Sequence, residues 1–170
     1  MDKEITVLDQ HETDPSVVTH DRDTYYVRTA VRAVLRDSEG RIALMYSSRR
    51  NYYKLPGGGV DNDEDLEDAL RRELLEEVGA TVIINDELGQ VVEWRDYKNF
   101  KQISHAYTAT LKGDSVTPSL TESEIAEGFE VRWIVDLGEA IRLVDVKSGS
   151  DDLDVSFMCR RDTAILRAVK

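Results

Sequence analysis

The stretch from Leu55 to Ala80 constrains this chain more than any other. It opens with Leu55-Pro56-Gly57-Gly58-Gly59. Proline brings no amide hydrogen and the glycines bring no side chains, so this run suits neither a helix nor a sheet interior. Asp61, Asn62 and Asp63 then offer N-caps, a helix is predicted from about Glu64 to Val78, and Gly79 closes it as a C-cap. At about 100° per residue, Leu70, Leu74 and Val78 share a face fit to bury against a sheet. Glu73, Glu76 and Glu77 share an adjacent one.

Charge is concentrated in the same place. Asp61 to Glu77 carries nine acids against Arg71 and Arg72, in a chain whose net charge is −12. Crowding like charges costs stability unless something positive sits among them. Three carboxylates converging beside a glycine loop make an oxygen-rich site suited to a hard divalent cation, Mg²⁺ or Mn²⁺. The glycines let backbone groups approach a metal or phosphate unhindered. Arg72, beside Glu73 and one turn before Glu76, can orient those carboxylates. A solvated helix after a glycine turn would explain the acids, but not the glycines, the arginine and the offsets together.

From Gly58 the chain runs five residues to Glu64, seven more to Arg72-Glu73-Leu74, then Glu76-Glu77-Val78-Gly79-Ala80. This resembles the Nudix box of the Nudix hydrolases, with all seven fixed identities at their offsets and a small Ala80 at the last apolar position. The resemblance covers about Tyr25 to Val144. It implies an α/β fold, an α/β/α sandwich around a mixed sheet, and metal-dependent hydrolysis of a nucleoside diphosphate linked to another moiety. A nucleoside triphosphate or dinucleoside polyphosphate is the expected substrate. By the same resemblance Glu73, Glu76 and Glu77 bind the metal, with the Gly58 carbonyl as a further ligand, while Glu64 and Arg72 support the site. The metal would neutralise pyrophosphate oxygens and acidify the attacking water. The resemblance also implies a general base after the box, on a flexible loop before Trp133: Glu127, followed by Gly128, is preferred and Glu124 is the alternate. If neither serves, the base falls to Glu73 or Glu76. Glu130 is assigned to the following strand.

Other features carry less. Arg49 and Arg50, just before the loop, could grip phosphate. Tyr97 lies close to where dinucleoside-polyphosphate-cleaving members carry a tyrosine. No proline occurs between Pro56 and Pro118, which disfavours an ADP-ribose substrate by the same comparison. Cys159, the only cysteine, reads as a buried small residue. A catalytically silent Nudix domain that senses a nucleotide is the alternative function, but such a domain is expected to lose box carboxylates, and all are kept.

The remaining sequence reads as strands at Ile5–Leu8, Tyr25–Leu35, Arg41–Ser47, Tyr52–Leu55, Thr81–Ile84, Leu88–Trp94, Phe100–Leu111 and Glu130–Val135. Helices are expected at Leu137–Val144 and Leu153–Val169, the latter with Asp162 interrupting an apolar face. One domain is expected: an N-terminal extension over 1–24, a core over 25–150 and a C-terminal helix over 151–170. An excess of 34 acids over 22 bases argues against nucleic-acid and membrane partners, and the N-terminus lacks signal-peptide character. The expectation is a cytoplasmic protein acting on a nucleotide-type small molecule, as monomer or homodimer.

Overall fold

The computed structural model describes residues 3–170. Strand β1 (Glu4–Asp9) and the one-turn helix α1 (Gln10–Thr13) precede the long strand β2 (Tyr26–Arg36). β3 (Ile42–Ser47) returns along it, and β4 (Tyr52–Lys54) runs into the glycine loop. Helix α2 (Leu66–Val78), β5 (Val82–Arg95), β6 (Phe100–Leu111), α3 (Glu122–Glu127), β7 (Phe129–Ile134), α4 (Leu137–Asp145) and α5 (Leu153–Arg167) follow. The strands form one seven-stranded mixed sheet, ordered β1-β5-β6-β2-β3-β4, with β7 also paired to β3. β2 and β6 run parallel in unbroken register from Tyr26 opposite Phe100 to Arg36 opposite Thr110.

Alternation along the strands makes the layers. Val31, Ala33 and Leu35 of β2 pack with Leu70, Leu74 and Val78 of α2 on one face. Val34 packs on the other face with Ala140 and Val144 of α4 and with Cys159, Ile165 and Leu166 of α5. The result is an α/β/α sandwich around a mixed sheet. Leu70 and Leu74 are fully buried, and burying a leucine contributes about 1.5–3 kcal/mol, which presses an acidic helix onto the sheet. Among the described residues no helix is long and apolar enough to cross a membrane.

Several elements differ from the sequence expectation. The two strands read at Thr81–Ile84 and Leu88–Trp94 are one strand, β5, because pairing with β6 continues across the polar residues through register shifts around Glu87. Residues 4–9 of the N-terminal extension join the sheet, as a strand parallel to β5. Helix α2 begins at Leu66, not Glu64, because the Asp65 carboxylate accepts from the Glu67 N–H as N-cap. Helix α3 stands where loop was expected; Thr121 and Glu124 form a capping box and Gly128, at φ +67°, ends it.

Candidate active site at the glycine loop and helix α2

The glycine loop lies along β2 as an irregular extra strand. Ala33 N–H donates to Pro56 O at 3.1 Å, Val31 N–H to Gly58 O at 2.9 Å, and Val60 N–H to Thr29 O at 3.1 Å. Close approach constrains both glycines here. At Gly57, φ is +129° and a Cβ would sit 2.2 Å from Val31 O; at Gly58 a Cβ would sit 2.3 Å from the Glu73 carboxylate. Behind the loop, buried Asp162 of α5 accepts from Leu55 N–H at 2.8 Å and from Arg161 Nε at 2.7 Å. The residue that looked like a flaw in an apolar helix face therefore anchors the entry to the loop. Buried Arg32 donates to Val31 O at 2.7 Å and to Gly58 O at 3.3 Å. Burial, helped by the charge of Arg161, lowers its pKa to about 9. Arg32 Nε and Arg161 Nη2 have no partner among the described residues.

Helix α2 meets the loop through two side chains. Glu77, only 2% exposed, accepts from Gly57 N–H at 2.7 Å through Oε2 and from Lys54 Nζ at 2.8 Å through Oε1. Arg72 spreads its guanidinium over Glu64 at 2.8 and 2.9 Å, Glu73 at 2.8 Å and the Gly59 carbonyl at 3.0 Å, with a longer 3.4 Å contact to Glu76. Hydrogen bonding from Arg72 holds the Glu64 carboxyl down at about 2. Glu73 moves the other way: burial raises its pKa against the pull of Arg72.

Oxygen donors suit a hard divalent cation, yet the convergence expected of the three carboxylates is incomplete. Among the described residues, no three acidic, histidine or cysteine side chains stand close enough to hold an ion as they lie. The chain's own cations explain this, since Lys54 holds Glu77 while Arg72 holds Glu73. The Gly58 carbonyl, expected as a further ligand, is already committed to Val31 N–H and Arg32. Gly57 O, between two carbonyls bonded to β2, has no partner among the described residues. The loop's register on β2 thus offers Gly57, one residue earlier, as the free backbone oxygen.

The other sequence candidates are placed differently from expectation. Glu127 ends helix α3 and is no mobile loop residue; it accepts from Arg50 Nε at 3.0 Å and Ser47 Oγ at 3.3 Å. Arg50, expected on phosphate, is spent on Glu127 and on Asp152 at 3.3 Å. Arg49 is exposed, 3.9 Å from Glu127. Glu124 is the capping-box acceptor of Thr121 N–H and Oγ at 2.8 and 2.9 Å. Tyr97 donates its hydroxyl to Asp154 and stacks on Phe157, on the α5 side, with no partner in the loop–helix unit. Lys54, Arg32 and Asp162 were not anticipated. Each acts across a chain separation that no local pattern spans.

Beside Glu77 opens a cavity of about 560 Å³, walled by Leu120, Ile125, Phe129 and Val131. The segment after β6 closes one side of it by capping α2: Val116 N–H donates to Gly79 O and Ser119 N–H to Glu76 O, both at 2.8 Å. Orphan carbonyls of the helix end are satisfied this way.

A glycine loop docked on an acid-bearing helix, at the side of a mixed sheet, defines a class. The family model described as NUDIX domain matches residues 27–150. The chain belongs to the Nudix family, whose members generally use divalent metal ions. An RNA pyrophosphohydrolase of Sulfurovum sp. is 48% identical over 48 residues, 28% of this chain and 29% of that protein. One from Caulobacter vibrioides is 41% identical over 73 residues, 41% of each chain. The chain thus spans less than half the length of these curated relatives. A Bacillus subtilis protein named as a proposed 8-oxo-dGTP diphosphatase is 26% identical over 148 residues, 85% of this chain and 93% of that one. Among solved structures, a MutT protein from Methanosarcina mazei Go1 superimposes with TM-score 0.54 at 23% identity, covering 82% of this chain and 95% of the other. The E. coli ORF135 protein gives TM-score 0.60 at 18% identity, covering 86% and 90%. These two likenesses concern the fold alone.

Proposed function

We propose that this chain is a divalent-cation-dependent pyrophosphohydrolase of a free nucleotide, either a nucleoside triphosphate or a dinucleoside polyphosphate. One observation carries the reading: the buried Glu77 carboxylate accepts from Gly57 N–H at 2.7 Å, fastening the glycine loop against the helix that bears Glu73 and Glu76. Glu73, Glu76, Glu77 and the Gly57 carbonyl are the groups that would hold the cation. A bound Mg²⁺ or Mn²⁺ supplies charge neutralisation for the pyrophosphate and a water of lowered pKa. Arg72, fixed by Glu64, orients Glu73 and Glu76. Glu76 is the least committed carboxylate of the box, half-exposed with one 3.4 Å contact, so we assign it the proton leaving the attacking water. Glu127 and Glu124 are each held in place through one carboxylate oxygen, Glu127 by Arg50 and Ser47 and Glu124 by its capping box with Thr121.

The apolar cavity beside Glu77 is where the rest of the nucleotide would sit, its size within the range of about 300–1,000 Å³ usual for small-molecule sites. The names pyrophosphohydrolase and diphosphatase carried by relatives support the bond class. The net charge of −12 favours a free nucleotide over an RNA end, which would bring many more phosphates. A lone buried thiol needs no oxidising compartment, in keeping with action in the cytoplasm.

The test is a panel of nucleoside triphosphates, dinucleoside polyphosphates and a 5′-triphosphorylated RNA, with Mg²⁺, Mn²⁺ or excess chelator, reading released phosphates. Turnover of free nucleotides that chelator abolishes and Glu77→Gln cripples is expected. Full activity in chelator refutes the cation dependence. Tight nucleotide binding without turnover replaces the reading with that of a sensor.

A further inference from the structure

Glu77 cannot be left alone. A carboxylate 2% exposed is too costly to bury without a partner, and the cation that balances it is Lys54, at 2.8 Å. Lysine differs from arginine at such a place: it is one compact charge on a flexible four-carbon stem. Its backbone is pinned, because Lys54 pairs with Met45 across β3 and β4 and the next residue, Leu55, is held by Asp162. Only the stem is free to move. The ammonium also lies 4.7 Å from the centroid of the Phe129 ring, and Phe129 and Glu77 both line the 560 Å³ cavity. A rotation of the stem along that ring face carries the charge from Glu77 towards the cavity without losing the aromatic contact. A second cation arriving at Glu77 repels the ammonium strongly in a site so poorly solvated.

Building on the reading of this site as cation-dependent and nucleotide-cleaving, we infer that Lys54 is a built-in counter-cation: it holds Glu77 until a divalent cation binds, then hands its charge to the phosphate oxygens of the substrate. This accounts for the carboxylates being held apart as they lie. It also makes Lys54 a competitor of the metal and a binder of substrate, two roles that a merely structural lysine would not combine.

The experiment is a Mn²⁺ titration of the full chain without nucleotide, by electron paramagnetic resonance, on wild type, Lys54→Met, Lys54→Gln and Lys54→Arg. Both neutral variants should bind Mn²⁺ about tenfold tighter, because the competing charge is gone; Lys54→Arg should stay near wild type. At saturating Mn²⁺, KM for the cleaved nucleotide should rise about tenfold in the neutral variants with kcat much less affected, as for a lost substrate contact. If Lys54→Met does not fold without metal, Lys54→Gln carries the comparison, since it keeps a hydrogen bond to Glu77 without charge. Equal or weaker Mn²⁺ binding by the neutral variants overturns the counter-cation role. An unchanged KM overturns the transfer to phosphate. Tighter Mn²⁺ binding in a protein that cleaves no nucleotide supports the counter-cation role and removes the hydrolase reading instead.

Discussion

Replacing Gly58 by alanine separates the chemistry of the loop from its fold. The new methyl carbon would lie 2.3 Å from the Glu73 carboxylate carbon and Oε2, and 2.4 Å from Oε1. Ordinary contact requires the carboxylate to withdraw by about 1 Å. Gly58 does not occupy positive φ, so the alanine backbone fits, and lost freedom in the unfolded chain returns about 0.4–1 kcal/mol. The withdrawal breaks the 2.8 Å bond from Arg72 to Glu73, a charge-assisted contact whose loss costs about 1.5–3 kcal/mol. The net is a destabilisation of about 1–2 kcal/mol, or about 2–8 °C in Tm for a chain of this size. Function should suffer far more, because a displacement of about 1 Å in a reacting constellation can cost about 10²-fold in rate. A thermal melt, a Mn²⁺ titration and kcat/KM on the best nucleotide together decide it. Wild-type activity with unshifted Mn²⁺ affinity would take Glu73 out of the site. Outright unfolding would refute the argument that a flexible side chain yields before the backbone does.

Gly79→Ala should behave oppositely, since its Cβ meets Val116 O at 1.8 Å with φ at +69°. Backbone must move there, so a loss of about 3 kcal/mol or more is expected in denaturant melts, and a loss under 1 kcal/mol contradicts the clash. Asp162→Asn removes a buried charge facing Arg161, and breaking such a pair costs about 3–5 kcal/mol; a urea midpoint equal to wild type would refute the anchoring of Leu55. Glu127→Gln disturbs a partly exposed pair with Arg50, worth about 1 kcal/mol at most, and kcat should stay within about tenfold of wild type because no proton transfer is lost. A thousand-fold fall in kcat with metal binding intact would return the proton acceptor to Glu127.

Physical cause separates what was legible along the chain from what was not. Glycines that admit a close backbone, acids at helical spacing and a C-capping glycine are local facts, and they located the loop, helix α2 and the class of site. Alternating apolar residues likewise predicted most strands, while the cover of helices on both faces of the sheet followed from the resemblance to the family. Helix α3 was legible too, in the Thr121 to Glu124 capping box and the C-capping Gly128.

The sequence by itself therefore determined the glycines, the acids and their spacing. Only the tertiary structure decided which of them are already spoken for. Glu77 lies 23 residues from Lys54, Glu127 lies 77 from Arg50, and Asp162 lies 107 from Leu55. Charges so far apart along the chain meet only when the sheet closes and the helices settle on it. Which carbonyl of the glycine loop stays free depends on the register of that loop against β2. Pairing of buried charge is a property of the packed core, set by reach and exclusion of water across elements, and no local pattern encodes it.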